Sequence, residues 1–285
     1  MRRFLWVLLC VCHPFLVVHA GSPSAPVSPV LALDHVAGEA PMLIVGELHG
    51  TRETPALVAE LARLWADRGA VQVGLEIPAQ EQLRLDAFLR SAGVEADRQA
   101  LLVGEFWQTP HERSDGRRSE AMLALLESLR SARVAGAPID VLAFDDAAFH
   151  GPAPDRNARM AERLRLAHEA QPQTRTIVLT GNYHARWNVP GSVRPQSVPD
   201  GYAPPKPMAA YLRELGVRTV NVSAREAGFW ACLRDQPCGP QQLPAQPIVD
   251  ASLLTTLDGP DRDYDAVLTL PVLQVSEPVT PERNP

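Results

Sequence analysis

The chain has 285 residues, 46% of them hydrophobic and 21% charged, with a formal net charge of −6. That length holds one large domain or two small ones, and the apolar fraction excludes wholesale disorder. Acidic residues outnumber basic ones 33 to 27 and Lys206 is the single lysine, so a basic nucleic-acid-binding face is not expected.

The first twenty residues read as a secretory signal peptide. Met1-Arg2-Arg3 is a positive start, Phe4 to Val18 is almost unbroken apolar sequence, and Val18-His19-Ala20 suits cleavage after Ala20. The run is too short for a membrane span, Pro14 interrupts it, and no later segment is long and apolar enough to cross a bilayer. Cys10 and Cys12 lie inside the apolar run rather than at its end, which argues against lipid attachment. The mature protein is expected to be periplasmic or secreted. It would keep only Cys232 and Cys238, a close pair flanking a Pro/Gly turn, and in an oxidising compartment these read as a disulfide.

Residues 21–40, rich in Ser, Pro and Ala, read as a flexible lead-in, and 41–276 as one α/β domain. Met42 to Val45 is a short apolar run of the kind buried on both faces of a sheet. A helix follows, with Thr54 as cap, Pro55 at its first position and Gly69 beyond its end. Val71 to Leu75 reads as a strand and Ala79 to Ser91 as a helix. Ser119 caps a helix carrying Met122, Leu125, Leu126 and Leu129 on one face. Val141 to Phe144 is a strand, Asp155 to Ala170 a polar helix, and Thr176 to Leu179, Val217 to Val222 and Ala266 to Leu270 are further strands. Strands alternating with helices predict a mainly parallel central sheet flanked by helices on both faces. Residues 189–207 carry six prolines and no periodicity, and read as a lid loop or a plain surface excursion. Residues 277–285 read as a frayed tail.

In open α/β sheets ligands bind at the carboxyl ends of the strands. The first strand runs into Gly46-Glu47-Leu48-His49, the second into Glu76, the third into Asp145-Asp146 and the fourth into Gly181-Asn182-Tyr183-His184. Asp145 and Asp146 also suit helix caps. His49, Glu76 and His184 do not, because histidine is a poor cap and Pro78 delays the helix beyond Glu76. Two imidazoles with a carboxylate suit a divalent transition metal, manganese, zinc or cobalt, with positions open for water. The same groups also suit metal-free work, in which Glu47 or His49 takes a proton from water and the other imidazole acts as acid. No nucleophile elbow, phosphate loop or His-Glu-x-x-His motif occurs.

The paired Gly-x-x-His motifs, with Glu76 ending the intervening strand, resemble the Tiki superfamily, which unites erythromycin esterases, Tiki metalloproteases, TraB-like proteins and ChaN-like haem-binding proteins. Asp115-Gly116-Arg117-Arg118-Ser119 and the Arg156 to Met160 segment are similar to the esterase-like branch. The resemblance implies a central parallel sheet and maps His49, Glu76 and His184 onto shared active-site positions. The chain departs from ChaN-like proteins, with Gly50-Thr51 where these carry an aspartate after the first histidine. The resulting expectation is an exported hydrolase cleaving a peptide or ester bond. His49, Glu76 and His184 would bind the metal, Glu47 would be the general base, and Arg117 or Arg118 would stabilise developing negative charge, with Tyr183 also contacting substrate. The alternative is a haem or iron uptake protein with Tyr183, Tyr202 or a histidine as axial ligand.

Overall fold

A computed structural model describes residues 28–146, 153–189, 204–233, 237–244 and 253–280. The signal peptide, Tyr202 and most of the proline-rich loop lie outside these residues.

Among the described residues eight strands form one sheet: β1 (Met42–Glu47), β2 (Val71–Pro78), β3 (Ile139–Asp145), β4 (Arg175–Gly181), β5 (Arg218–Ala231), β6 (Gly239–Leu243), β7 (Leu254–Thr256) and β8 (Ala266–Leu273). Their order is β3-β2-β4-β1-β5-β8-β7, with β6 also on β5. The β3-β2-β4-β1-β5-β8 pairings are parallel, and β5–β6 and β7–β8 are antiparallel. A mixed α/β fold with a mainly parallel sheet is therefore present.

The apolar runs sit in this sheet because both faces are covered. All six β1 residues are buried. On one face Leu43, Val45, Val73, Leu75 and Leu179 pack against α1 (Pro29–Ala37), α2 (Glu53–Ala66), α3 (Gln82–Leu89), α4 (Glu95–Leu102) and α5 (Glu120–Val134). On the other, Met42, Ile44 and Val178 meet Met160, Ala161 and Leu164 of α6 (Ala153–Ala170), with Met208 and Leu212. The Ser119 cap holds: its hydroxyl accepts from Met122 N at 3.2 Å.

Besides α4, β6, β7 and the second half of β5, which the sequence reading did not contain, three segments differ from it. The lead-in contains α1, because Ser28 caps it, Pro29 starts it, and Val30, Leu33 and Ala37 are buried in the core. α2 begins two residues early, and Thr54 is a buried residue within its first turn instead of its cap. The tail is held through Thr280: Val279 is buried and its N–H donates to Arg118 O, while Glu120 N–H donates to Glu277 O.

The strand order explains how distant residues meet. β4 lies between β1 and β2, and β3 borders β2, so the carboxyl ends of four parallel strands stand side by side, about 4.8 Å apart. Glu47 aligns with Gly181 across β1 and β4, and Leu75 with Leu179 across β2 and β4. The β2–β3 register shifts between Leu75 and Pro78, the irregularity that contains Glu76.

Candidate active site

Glu76 is the hub. Its carboxylate is 4% exposed, and both oxygens are engaged. Oε2 accepts from the Thr180 hydroxyl at 2.6 Å and from Gly181 N–H at 2.8 Å. Oε1 accepts from Arg156 Nη2 at 2.8 Å, with Arg117 Nη1 3.6 Å away. The two imidazoles flank it, His49 Nε2 at 3.6 Å from Oε2 and His184 Nε2 at 3.6 Å from Oε1. Burial would raise the Glu76 pKa, but His184, His49, Arg117 and Arg156 together hold it well below the usual carboxylate value.

The glycines of the two motifs make room. A Cβ on Gly181 would stand 2.8 Å from His49 Nε2, and one on Gly46 would stand 2.9 Å from the Ala185 Cβ. Gly181 thus admits the His49 ring, and Gly46 admits the turn that carries His184.

His49 Nδ1 lies 3.0 Å from Glu47 Oε1. Glu47 is 3% exposed, and its Oε2 is buried without a hydrogen-bond partner. Burial raises the Glu47 carboxyl pKa, against the pull of His49. Burial would lower His49, but Glu76 and Glu47 outweigh it and raise the imidazole above 6.5.

His184 differs. Burial lowers its pKa, and Arg156 lowers it further. Its Nδ1 is 2.7 Å from Asn157 Oδ1, while Asn157 Nδ2 donates to Lys206 O at 2.7 Å. Arg156 Nη1 stands 3.2 Å from His184 Nε2.

Asp145 ties the two arginines together. Its Oδ2 accepts from Arg117 Nη1 at 2.6 Å, and its Oδ1 from Arg156 Nε at 2.9 Å. Asp145 is 1% exposed, so it is a buried anchor for guanidinium groups and not the helix cap that its position suggested. Asp146 pairs with Arg159 at 2.9 Å. Asp115 binds Arg117 through Nε and Nη2; burial would raise its pKa, but Arg117 lowers it to about 2.

The structure thus gathers Glu47, His49, Glu76, His184 and Arg117, and adds Arg156, Asp145, Asn157, Asp115 and Thr180. Arg118 does not reach Glu76 or the imidazoles: its guanidinium donates to Phe106 O at 2.8 Å and to the Thr109 hydroxyl, stacks over the Phe106 ring, and meets the site only through Asp115 Oδ1, 3.5 Å from its Nη2. Tyr183 donates its hydroxyl to Pro205 O and meets the His184 ring edge-on. Cys232 and Cys238 are disulfide-bonded.

The donor set does not fit a divalent cation. The His184 nitrogen that would ligate already accepts from a guanidinium, and guanidinium N–H groups can only donate. Both Glu76 oxygens are spent on donors, and Arg117 and Arg156 already supply two positive charges beside Glu76 and Asp145. Among the described residues no group of three His, Cys, Asp or Glu is arranged to hold a metal.

No protein-family model matches the chain, and no curated protein matches it. Solved structures do. The chain is similar to an erythromycin esterase, the H289N variant of EreC in its open conformation, at 13% identity and a TM-score of 0.63, covering 88% of this chain and 95% of that one. A Bacillus cereus protein matches at 12% identity and TM-score 0.64, covering 90% and 95%. A succinoglycan biosynthesis protein matches at 13% identity and TM-score 0.58, covering 90% and 93%. The chain therefore has the erythromycin esterase-like fold, the fold that its resemblance to the Tiki superfamily implies.

Proposed function

We propose that the protein is an exported hydrolase that cleaves an ester bond with water activated by His49, without a metal ion. The observation that carries this reading is the His49 dyad. Glu47 accepts from one ring nitrogen, and the other faces the site beside Glu76. This is the arrangement of an oriented general base.

In the first step His49 Nε2 takes a proton from water, the water oxygen bonds to the substrate carbonyl carbon, and the carbonyl electron pair moves onto oxygen. Glu47 and Glu76 stabilise the imidazolium so formed. Arg156 receives the oxyanion. Its Nε–H is spent on Asp145, but each Nη carries a second hydrogen beyond those given to His184 and Glu76. In the second step the oxyanion's electron pair re-forms the carbonyl, the carbon–oxygen bond to the leaving group breaks, and the His49 imidazolium gives the proton to that leaving oxygen, releasing an alcohol and a carboxylic acid. His184 has no proton to give on the side facing Arg156, so it acts by orienting that arginine.

Support for the hydrolase class comes from the structural likeness to an erythromycin esterase. Support for export comes from the Cys232–Cys238 bond, which suits an oxidising compartment. The test is a panel of neutral esters, lactones and short peptides offered to the wild type and His49→Gln. Ester hydrolysis lost in the variant supports the reading. Peptide cleavage alone, or equal rates in both proteins, refutes it.

A further inference from the structure

β5 continues past its pairing with β8, which ends at Ala227 and Leu273. From Gly228 to Ala231 it pairs with β6 alone, and the Cys232–Cys238 bond closes that ribbon. A two-stranded ribbon is marginally stable by itself, and the covalent link adds to the contacts that hold it.

The ribbon bears on the site through Trp230. The indole Nε1–H donates to Ser114 O at 2.9 Å, and Cys238 N–H donates to Glu112 O at 3.0 Å. The His111 ring meets the indole edge-on. Two glycines with positive φ pack directly on the Trp230 backbone. A Cβ on Gly116 would stand 2.5 Å from Trp230 O and 2.9 Å from the His49 carbonyl carbon, and one on Gly50 would stand 2.5 Å from the Trp230 Cβ. Trp230 is therefore wedged between the turn that follows His49 and the loop that presents Asp115 and Arg117 to Glu76.

We infer that Trp230, locked by the Cys232–Cys238 disulfide, is a positioning residue for Arg117, so that the site is fully assembled only in the oxidised protein. Its kinetic consequence rests on the hydrolase reading; its structural consequence does not. A dithiol reagent breaks the sulfur–sulfur bond by supplying two electrons and two protons. It leaves two thiols on the protein and is itself oxidised to a disulfide. The ribbon then loses its closure, and the 112–117 loop loses its support.

The experiment compares oxidised protein, protein reduced with dithiothreitol, Cys232→Ser/Cys238→Ser, and Trp230→Phe, which keeps most of the ring but not the N–H. Hydrogen–deuterium exchange should rise on reduction in residues 112–117 and leave the amides of β1 and β4 protected. With an ester substrate kcat should fall about 10- to 100-fold while KM stays within about twofold, the size of loss that follows when Arg117 shifts and the Glu76 and Asp145 carboxylates that it holds shift with it. In an Arg117→Leu background the same reduction should cost less than about threefold, because the two changes act through one group. Trp230→Phe should lose less than the reduced protein. Unchanged exchange in 112–117, exchange rising uniformly through the sheet, or an undiminished kcat loss in the Arg117→Leu background would each overturn the inference. If no form hydrolyses any ester, the hydrolase reading fails, and the exchange pattern still decides this one.

Discussion

His184 and Asn157 are joined by a 2.7 Å hydrogen bond whose direction the surroundings fix. Asn157 Nδ2 donates to Lys206 O, a carbonyl that only accepts, so Oδ1 faces the imidazole and Nδ1 must carry the proton. Nε2 then accepts from Arg156. Nitrogen-15 NMR should find His184 as the Nδ1–H tautomer, with Nε2 unprotonated at neutral pH. Asn157→Leu should abolish that preference and lower kcat by about tenfold or more, because a small misplacement of Arg156 weakens its hold on the oxyanion. An Nε2–H signal in the wild type would contradict the assignment.

His49 sets the pH dependence. Glu76 and Glu47 raise its pKa above 6.5, and the base must be neutral to accept a proton. Activity should therefore rise with pH through a limb above 6.5. Glu47→Gln removes one of the charges that favour the imidazolium, so the limb should move to lower pH. Its kcat should fall by about 10²–10⁴-fold, as when the residue orienting a catalytic histidine is changed. A limb that stays in place in this variant would remove Glu47 from the dyad.

Arg156 is the expected oxyanion donor. Arg156→Leu should lower kcat by about 10²–10³-fold with a smaller effect on KM, the usual cost of losing one such donor. Arg118→Leu should lower kcat far less than Arg156→Leu in the protein that folds, because its guanidinium is given to Phe106 O and Thr109 and touches the site only through a 3.5 Å pair with Asp115. Steady-state kinetics on both variants separates the two arginines.

The cluster also carries stability. Glu76→Ala would leave Arg156, Arg117 and two imidazoles facing a cavity, and breaking a buried ionic network of this kind costs about 3–5 kcal/mol. Glu76 and Asp115 have folded pKa values below their ordinary 4.5 and 3.8, so their contribution is present above those values and is lost as pH falls below them. Urea titrations at descending pH should show stability dropping below pH about 4, with a shallower drop in Asp115→Asn.

The sheet was legible because its central strands are short continuous apolar runs, and the motifs at their ends named Glu47, His49, Glu76 and His184. Arg156 and Asn157 were not legible as site residues. Their segment, Arg156 to Met160, entered only as a likeness to the esterase-like branch; they lie in the first turns of a polar helix, and the packing of α6 is what turns them inward. Asp145 read as a cap because a buried acceptor for two arginines has the same local sequence as a helix start. The second half of β5 and all of β6 escaped because they lack apolar alternation. Arg117 and Arg118 are neighbours in sequence, and only the turn at Gly116 (φ 92°) decides which one enters the site.

Metal independence is the claim that separates this account most sharply from the ligand set expected from the sequence motifs. The direct measurement is ester hydrolysis by protein dialysed against a strong chelator, with its metal content determined by elemental analysis, before and after adding manganese, zinc or cobalt. The account predicts an unchanged rate in metal-free protein and no stimulation by any of the three ions. A rate that vanishes on chelation and returns with one equivalent of metal would contradict it.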